Sequence, residues 1–595
     1  MEILSNNTPE KWEEIKTHPF YADELAALKK EAEEYLVTPV PATPYTAYLR
    51  FREDGDRSSY EKPYFSRRRR LAVLALLTKL YGEKYLPALL DVIWAVTEEF
   101  TWCVPAHLPV AWYNEKGYRT TIDLFATETG ALLAETDHIL GDTLPALVRA
   151  RIRTSVRERV MEPYMAGVGS PWWMEGDHNW GSVCTACVAL CFMYLGSEKE
   201  VYLLEPQFDR TMRLFLASYG TDGCCAEGLS YWHYGFGFFL TYADAMRNYS
   251  ETHRMVSVNE GRAAYREKDV SRDPVNGRID YFLREDVKRA AGFSANMRLL
   301  GEHSVPFSDG PRNFSYARSL FWLLKREYPD DITYPPLSLV RPTYCNSGLS
   351  LSRCFLWSDP NAEYGEKIKN GTVHYPEASW FIKNTERYSF AAKAGHNAEP
   401  HNHNDVGSFH LVTKSGESFI DPGSGEYVRQ YFRPDTRYGF IVNRTLGHSL
   451  PIINGNEQIV AEKGKAVSAP VSLMNEDSFA FDMANAYGLS SLTSATRRFD
   501  TDEESVTLTD TFTFRECPES IIERFVCAAP PEKGEGWVRV GGATLAYDPA
   551  IFTLTLTEES YKDHARRDAT LYFVDLAVKE TRMQMTFTFR IDVKK

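Results

Sequence analysis

The spacing of apolar residues changes partway along the chain, and this change constrains the fold more than any other feature. From about residue 20 to 340, apolar side chains recur every three or four positions, which is typical of amphipathic helices. After about residue 345, Thr-rich segments alternate apolar and polar residues with a period of two, which is typical of strands. A chain of 595 residues also exceeds what one hydrophobic core usually supports. We therefore predict a helical domain over 1–340 and a strand-rich domain over 345–595.

Several segments before the change in pattern have helical spacing. Breaks that contain Gly, Pro or Asp separate them, so the connections are short. Many helices of similar length with short connections favour stacked helical hairpins, as in an incomplete α/α toroid. The arginine run at 67–70 begins one segment and predicts a solvated helix face. The segments are 21–35, 67–77, 88–96, 122–140, 143–165, 181–195, 199–216, 231–246 and 287–300.

The second part of the chain contains short runs with strand character. Gly, Pro, Asn and Asp turns separate these runs, which favours an antiparallel β-sandwich. We place the boundary near 335–344, where prolines interrupt the chain. The predicted fold is therefore α+β and multidomain, with an N-terminal incomplete α/α toroid followed by a C-terminal antiparallel β-sandwich. The runs are 388–393, 409–412, 505–514, 551–557 and 583–591.

Composition limits the partners and the location. The net charge is -14, so no general positive field would attract nucleic acid. The N-terminus has no basic or apolar leader pattern, and no run of 18 apolar residues occurs, so neither an export signal nor a membrane helix is expected. We expect a cytoplasmic protein, or a periplasmic one if a leader has been removed. A homo-oligomer is compatible with the sequence.

The cysteines include a Cys-x-x-Cys pair. Cys184, Cys187 and Cys191 follow one another at helical spacing. A redox or zinc function for Cys184 and Cys187 usually needs a second such pair or a thioredoxin-like context. We interpret these cysteines as small apolar residues that are buried in a helix.

Histidines are concentrated in one stretch of the strand-rich domain. Five of the 14 histidines lie between His396 and His448, and His401 and His403 are two positions apart. Imidazole titrates near neutral pH and is the commonest metal ligand, so this stretch indicates metal binding, proton transfer or both. If this stretch were a strand, residues two apart would face the same side, and both His401 and His403 would point inward. Asp421, after a predicted strand, and His448, in a later loop, supply further potential ligands.

The same stretch resembles a known family. His-Asn-His-Asn-Asp-Val-Gly-Ser-Phe over 401–409, Ile-Asp-Pro-Gly over 420–423 and Gly-His-Ser over 447–449 resemble the C-terminal signature of the heparinase II/III-like polysaccharide lyases. The resemblance implies a helical toroid followed by a β-sandwich, and cleavage of uronic acid glycans by β-elimination. It also implies a structural zinc ion that His403, Asp421 and His448 would bind.

Two loops of the helical domain match further positions of that family. The segment 171–181 places His178 and Asn179 among three tryptophans before a helix, where a helix N-terminus favours an anion. The resemblance implies that Asn179, with His178 as an accessory donor, neutralises a uronate carboxylate. The segment 222–237 contains Tyr231 and Tyr234, and the resemblance implies one catalytic tyrosine there. Tyr234 is our first choice by its Tyr-Gly context, and Tyr231 is the alternate.

These residues suit the chemistry of β-elimination. Removal of the weakly acidic C5 proton requires a group that stabilises the developing negative charge, here Asn179. A base must reach C5, and an acid must protonate the departing O4. His401, which matches the catalytic histidine of the family, and the tyrosine are the proton carriers. A tyrosine acts as a base only if nearby cations or donors lower its pKa from about 10.

Two other functional classes remain open from the residues alone. A glycoside hydrolase would use two carboxylates, and Glu175, Asp177, Asp222 and Glu227 lie in the same two loops. A non-catalytic sugar-binding protein would share the fold but not need the proton carriers. The candidate substrates of a lyase are heparin or heparan sulfate, other glycosaminoglycans and alginate-like polyuronates.

Overall fold

The chain forms two compact units in a computed structural model. The helical unit consists of Met1–Ser218, His233–Ala291 and Ser315–Glu366, and the sheet unit consists of Tyr219–Trp232, Gly292–Phe314 and Lys367–Lys595. The structure describes residues 3–108, 115–167, 171–253, 278–333, 335–336, 340–341, 343–362, 365, 367–399, 401–461 and 467–594.

Neither unit is a continuous stretch of chain. The prediction divides the chain once, near 335–344, and residues 337–339 and 342 of that region lie outside the described part. Two earlier segments, Tyr219–Trp232 and Gly292–Phe314, belong to the sheet unit. The ring of Phe307, for example, packs edge-to-face on Trp380 with centroids 5.1 Å apart. Such long-range packing leaves no trace in local periodicity, so the sequence could not indicate it.

Each predicted helical segment falls on one or more helices of the structure. Between α8 and α9, and between α12 and α13, the chain forms π-helices over Arg157–Met161 and Trp232–Phe236. The α-helices within the described residues are α1 Pro9–Thr17, α2 Ala22–Val37, α3 Tyr45–Glu53, α4 Ser58–Tyr81, α5 Leu86–Glu98, α6 Glu115–Thr120, α7 Leu124–Leu140, α8 Ala146–Val156, α9 Glu162–Ala166, α10 Asn179–Leu195, α11 Glu198–Ala217, α12 Leu229–Tyr231, α13 Gly237–Thr252, α14 Glu285–Asn296, α15 Arg318–Glu327, α16 Leu351–Leu356 and α17 Ala484–Tyr487.

Helix α10 is at the centre of the helical unit. All its residues from 181 to 193 are buried, and it packs against α7, α11 and α13. A helix that is apolar on every side must be surrounded by other helices, which explains this position. Cys184, Cys187 and Cys191 are buried in it, and all ten cysteines of the chain are free thiols. The interpretation of the Cys-x-x-Cys pair as buried apolar residues is therefore confirmed.

The arginine run at the start of the apolar part of α4 was expected to be a solvated face, and this prediction is wrong. Arg68 has no exposed surface, and its guanidinium forms two hydrogen bonds to the carboxylate of Glu99, of 2.7 and 2.6 Å. Arg67 donates to the same carboxylate at 2.9 Å. The bidentate pairing compensates the loss of hydration, which allows a charged residue to be buried in a helix interface.

The strands of the sheet unit reproduce the predicted runs. The runs 388–393 and 505–514 coincide with β5 and β12. The strands of the sheet unit within the described residues are β3 Gly371–Tyr375, β4 Trp380–Asn384, β5 Tyr388–Lys393, β6 Phe409–Thr413, β7 Gly416–Phe419, β8 Pro451–Ile453, β9 Val471–Met474, β10 Ser478–Asp482, β11 Leu492–Thr501, β12 Ser505–Phe514, β13 Ile521–Cys527, β14 Glu532–Gly534, β15 Trp537–Val540, β16 Ala543–Ala546, β17 Phe552–Lys562, β18 Asp568–Val578 and β19 Gln584–Val593; the helical unit has the short pair β1 Tyr316–Ala317 and β2 Val340–Arg341.

These strands form two antiparallel sheets. In the described part of the chain, one sheet has the order β14-β15-β16-β19-β12-β11-β10-β9, and the other has the order β17-β18-β13-β7-β6-β5-β4-β3, with β8 paired to β13. Aromatic side chains from the facing sides meet in one core, where Phe409 of β6 lies 5.5 Å from Phe499 of β11 between ring centroids. The predicted helical region followed by an antiparallel β-sandwich is confirmed.

Across the described ranges, no helix combines the length and the apolar character that crossing a bilayer requires.

Candidate active site

Tyr231 and His401 meet in the sheet unit. Tyr231 ends the short helix α12, and His401 lies in the loop between β5 and β6. The Tyr231 hydroxyl oxygen is 3.3 Å from Nδ1 of His401, and the ring centroids are 4.2 Å apart. The Tyr231 hydroxyl is also 3.2 Å from the hydroxyl of Tyr427. The side chain of His401 is 24% exposed, so the pair is accessible to a ligand.

Asp309 connects the two histidines of the His-x-His motif. Its Oδ2 is 2.7 Å from Nδ1 of His401, and its Oδ1 is 3.1 Å from Nε2 of His403. The carboxylate is buried and also accepts a hydrogen bond from the Tyr431 hydroxyl. Burial would raise the pKa of Asp309, but the hydrogen bonds from both histidines hold it well below its usual value. A charged carboxylate that receives both N–H groups therefore orients both rings.

Backbone conformation at this site is strained. His401 has a φ of +58°, and Ser308, which precedes Asp309, also has a φ of +58°. Residues with a Cβ rarely adopt the left-handed region, and such strain is concentrated at functional sites. The loop before α12 requires a glycine for a different reason. A Cβ on Gly228, whose φ is +97°, would lie 3.0 Å from the carbonyl oxygen of Phe307.

His401 and His403 do not lie on a strand, contrary to the geometric expectation. The chain from 401 to 407 is irregular, and β6 begins only at Phe409. With His401 in this left-handed turn, the two rings contact different oxygens of one carboxylate. The two histidines thus share Asp309 rather than one face of a sheet.

The environment of Tyr231 favours its protonated form. Burial, followed by the negative charge of Asp309, raises the pKa of Tyr231 well above 10. The hydrogen bond with Tyr427 and the positive charge of Arg437 act in the opposite direction. Tyr231 is therefore protonated near neutral pH.

A buried group of metal-ligating residues lies next to His401. His403, Asp405 and His448 each offer one ligand atom, and these atoms lie within 4.8 Å of one another. Among the described residues, Nδ1 of His403 and Oδ2 of Asp405 have no hydrogen-bond partner. Buried polar atoms without partners are costly, so a bound cation would explain them.

The tautomers of both histidines also suit a metal ion. Nε2 of His403 faces Asp309, and Nε2 of His448 lies 2.9 Å from the carbonyl oxygen of Val442. Each Nε2 therefore carries a proton, and Nδ1 of each ring is the atom that could bind an ion. Nδ1 of His448 donates to Asp421 while it is protonated, so it would have to release that proton to become a ligand. Two imidazoles and a carboxylate are a suitable donor set for Zn²⁺ or a similar divalent ion.

The predicted metal set named Asp421 where this group contains Asp405. Asp421 lies beside the group, and its Oδ2 is 3.1 Å from Nδ1 of His448 and accepts a hydrogen bond from Ser408. Burial opposes its ionisation, but the charge and hydrogen bond of His448 lower the pKa of Asp421 below its usual value. His403 and His448 come together as expected, and Asp405 completes the group with Asp421 in contact with His448.

His178 and Asn179 belong to the helical unit, where α10 begins at Asn179. His178 is the N-cap residue and its side chain makes no capping hydrogen bond; its ring packs on Trp172 with centroids 4.7 Å apart. Asn179 is buried, and a Cβ on Gly235 would lie only 1.8 Å from its Oδ1. Gly235 thus provides the space that the amide of Asn179 occupies.

Tyr234, our first choice for the catalytic tyrosine, also belongs to the helical unit. Its hydroxyl donates a hydrogen bond of 2.5 Å to Oε1 of Glu128 on α7. Burial raises the pKa of Glu128 to about 7. Burial and the adjacent Glu128 raise the pKa of Tyr234 well above 10. The structure therefore pairs Tyr234 with a carboxyl group and pairs the alternate, Tyr231, with His401.

Two of the four carboxylates of the hydrolase alternative have other partners. Glu175 forms a bidentate pair with Arg210, with distances of 2.9 and 2.5 Å, and this pairing lowers its pKa. Asp222 accepts hydrogen bonds from the backbone N–H groups of Cys224 and Glu377. A general acid of a glycosidase needs a raised pKa, and Glu175 has the opposite shift.

Sequence reasoning missed Asp309, Asp405 and Tyr427. Asp405 stands inside the quoted His-Asn-His-Asn-Asp motif, so its spacing could have suggested a ligand. Asp309 and Tyr427 are 92 and 26 positions from His401 along the chain. No local pattern connects them to the histidines, and only the tertiary fold does.

Comparisons with known proteins identify the fold. No protein-family model matches the chain, and no curated protein sequence matches it. A crystal structure of heparinase III is 13% identical with a TM-score of 0.59, over 99% of this chain and 93% of that chain. A mutant of the heparan sulfate lyase HepC from Pedobacter heparinus is 12% identical with a TM-score of 0.57, over 100% and 93%. The Streptomyces coelicolor A3 chondroitin AC lyase in complex with chondroitin sulphate is 11% identical with a TM-score of 0.56, over 98% and 82%.

At these identities the similarity establishes the architecture. The helical region and the two antiparallel sheets match the α/α toroid and β-sandwich of heparinase III across the full chain. The predicted resemblance is thus confirmed at the level of the fold.

Proposed function

We propose that this protein is a polysaccharide lyase that cleaves uronic acid glycans by β-elimination and leaves a 4,5-unsaturated uronate at the new end. The observation that carries the proposal is the Tyr231–His401 pair, which Asp309 orients. This pair lies beside a buried metal-type group, in a fold shared with heparinase III and chondroitin AC lyase.

The hydrogen bonds support a distinct role for each proton carrier. Because Nδ1–H of His401 donates to Asp309, Nε2 carries the lone pair and is the base that removes the C5 proton. The electrons of the C5–H bond form the C4=C5 double bond, and the C4–O4 bond breaks. Tyr231, which stays protonated, gives its proton to the departing O4.

The screening of the uronate carboxylate is assigned to Asn179. This role rests on the resemblance of its motif and on its position at the first turn of α10, where backbone N–H groups favour an anion. His178 is the accessory donor. Burial lowers the pKa of His178, so its imidazole is neutral near pH 7 and donates or accepts a hydrogen bond.

His403, His448 and one or both of Asp405 and Asp421 would hold a divalent ion such as Zn²⁺. The ion would hold together the loop that carries His401 and the loop that carries His448, and it takes no part in the elimination. Its binding energy would add to the stability of the sheet unit.

The substrate class is an acidic glycan: heparin or heparan sulfate, another glycosaminoglycan or an alginate-like polyuronate. The chondroitin AC lyase of similar fold binds chondroitin sulphate in its crystal structure, which supports this class. The net charge of -14 means that local donors, not the overall field, must hold the acidic groups.

A panel of defined oligosaccharides from these classes tests the proposal. We expect products that absorb in the ultraviolet, because the new double bond is conjugated with the carboxylate, and whose masses show no added water. Products with the mass of hydrolysis and no absorbance would favour the two-carboxylate hydrolase. Binding without any cleavage across the panel would favour a non-catalytic sugar-binding protein.

A further inference from the structure

The helical unit contains a cavity with the properties of a ligand site. Its volume is about 600 Å³, and it lies between α3, α4, α5 and α6; we call it the Tyr60 cavity. Cavities of this size with aromatic walls and a few polar groups are typical of small-ligand sites. The residues of its wall used below are Tyr45, Tyr48, Tyr60, Phe100, Thr101 and Tyr118.

Five of the eleven residues that line the cavity are aromatic, and two of these five are open to solvent. Tyr45 is 72% exposed and Phe100 is 53% exposed. The ring of Phe100 is supported by Tyr118, with centroids 5.0 Å apart, and Tyr48 meets Tyr60 edge-to-face at 5.1 Å. Neighbouring rings thus hold Phe100 and Tyr60 in place while Phe100 keeps its exposed surface. Supported, exposed rings at a cavity mouth indicate a ligand that stacks on them.

The positive charge in the wall is already paired. Glu99 receives hydrogen bonds from both Arg67 and Arg68, and Arg67 also donates to the carbonyl oxygen of Pro41. Glu98 is exposed at the same wall and has no ion pair within the described part of the chain. An anionic group would therefore meet an unpaired carboxylate rather than an unpaired cation.

One uncharged hydroxyl group remains available. Within the described residues, the Tyr60 hydroxyl has no hydrogen-bond partner, although the residue is only 4% exposed. The hydroxyl of Thr101 is already engaged, because its oxygen accepts a hydrogen bond from the N–H of Cys103 and it also hydrogen-bonds the Cys103 thiol. The Tyr60 hydroxyl and the carboxylate of Glu98 thus supply a donor and an acceptor for ligand hydroxyls.

The cavity also lies close to the Asn179 loop in the helical unit. Thr101 is six residues before His107, and an extended chain of that length spans at most about 22 Å. The ring of His107 packs on Trp180, next to Asn179, with centroids 4.8 Å apart. A glycan of several sugar units whose uronate is held at Asn179 is long enough to reach the cavity.

We propose that the Tyr60 cavity is a second glycan subsite, which holds one sugar ring through stacking of its C–H face and through its hydroxyl groups. The subsite rests on the proposed function for the identity of the ligand as a glycan. It recognises the uncharged features of a ring, whereas Asn179 is assigned to the carboxylate. It would favour long chains over short ones.

Calorimetry on the full-length protein tests the subsite without requiring turnover. The probes are dodecasaccharides of heparan sulfate, chondroitin sulfate and alginate, and the one that binds the wild type most tightly is carried forward. We expect Phe100→Ala and Tyr60→Phe each to raise its Kd about three- to tenfold, because each removes one stacking or hydrogen-bonding contact. Tyr202→Ala, which removes an exposed aromatic ring on α11, is the matched control and should leave Kd unchanged.

Salt distinguishes the proposed recognition from anion binding. The increase in Kd should be the same at low and high sodium chloride, because stacking and neutral hydrogen bonds are not screened. An increase that disappears at high salt, an unchanged Kd in both variants, or no binding of any dodecasaccharide to the wild type overturns the subsite. If the increase is observed but the products lack ultraviolet absorbance, the subsite stands and the lyase proposal fails.

Discussion

The hydroxyl oxygen of Tyr231 lies 3.3 Å from Nδ1 of His401, and the two residues are 170 positions apart in the chain. The carboxylate of Asp309 is 2.7 Å from the same nitrogen. One imidazole thus contacts a proton donor and a carboxylate that fixes its orientation. This arrangement is the basis of the proton-transfer roles proposed above.

The roles of the two tyrosines in the 222–237 segment can be distinguished with one substitution at each tyrosine. Tyr231→Phe keeps the ring but removes the hydroxyl next to His401, so we expect kcat to fall about a hundredfold or more. Tyr234→Phe removes only the hydrogen bond to Glu128 and should keep most of the activity. Initial rates of ultraviolet absorbance measure both. If Tyr234→Phe is inactive and Tyr231→Phe is active, the catalytic tyrosine is Tyr234, our first choice from the sequence.

Asp309 should be needed for orientation rather than for binding of the substrate. In Asp309→Asn, the imidazoles of His401 and His403 lose their shared carboxylate, and we expect kcat to fall about ten- to a hundredfold while KM changes little. The control is Asp222→Asn, because Asp222 contacts backbone N–H groups of Cys224 and Glu377. Equal activity of both variants would contradict the role of Asp309.

The metal prediction depends on which carboxylate is a ligand. His403→Ala should lower both the metal content and Tm, because binding energy is linked to folding. Comparison of Asp405→Asn with Asp421→Asn identifies the ligand. The variant that no longer binds the metal is the one in which the ligand carboxylate has been replaced. Elemental analysis and thermal unfolding with and without a chelator are the measurements. If the wild-type protein contains no divalent ion and its Tm does not change when a chelator is added, the proposed metal site is wrong.

The buried Glu128 should make stability depend on pH. Its pKa is about 7 in the folded protein and about 4.5 when unfolded, so its neutral form is favoured by folding. This contribution is complete below pH 4.5 and is lost as the pH rises through 7. We expect the wild type to lose about 3 kcal/mol of unfolding free energy relative to Glu128→Gln between pH 4 and pH 8. Denaturant titrations measure the difference, and parallel curves for the two proteins would contradict it.

Asn179 should act mainly in the transition state. Asn179→Ala removes a donor to the developing negative charge, so we expect kcat to fall about a hundredfold with a smaller change in KM. Gly235→Ala should have a similar effect, since its Cβ would collide with the Asn179 amide. Steady-state kinetics test both variants. A loss confined to KM would assign Asn179 to substrate binding alone.

Local sequence patterns determined the elements and the motif. The apolar periods of 3.6 and 2 placed the helices and the strands, and two strands, Tyr388–Lys393 and Ser505–Phe514, were located without error at either end. The histidines 403 and 448 could be grouped because they stand in recognisable motifs. These features depend on residues that are close in sequence, where side-chain period and spacing carry the information.

Only the tertiary structure decided which distant residues meet. It paired Tyr231, rather than Tyr234, with His401, and it brought Asp309 to both histidines. It also buried Arg68 against Glu99, where the charge pattern alone predicted a solvated face. The physical reason is the same in each case: hydrogen bonding and burial depend on three-dimensional neighbours, and a local pattern of charge or hydrophobicity does not specify those neighbours.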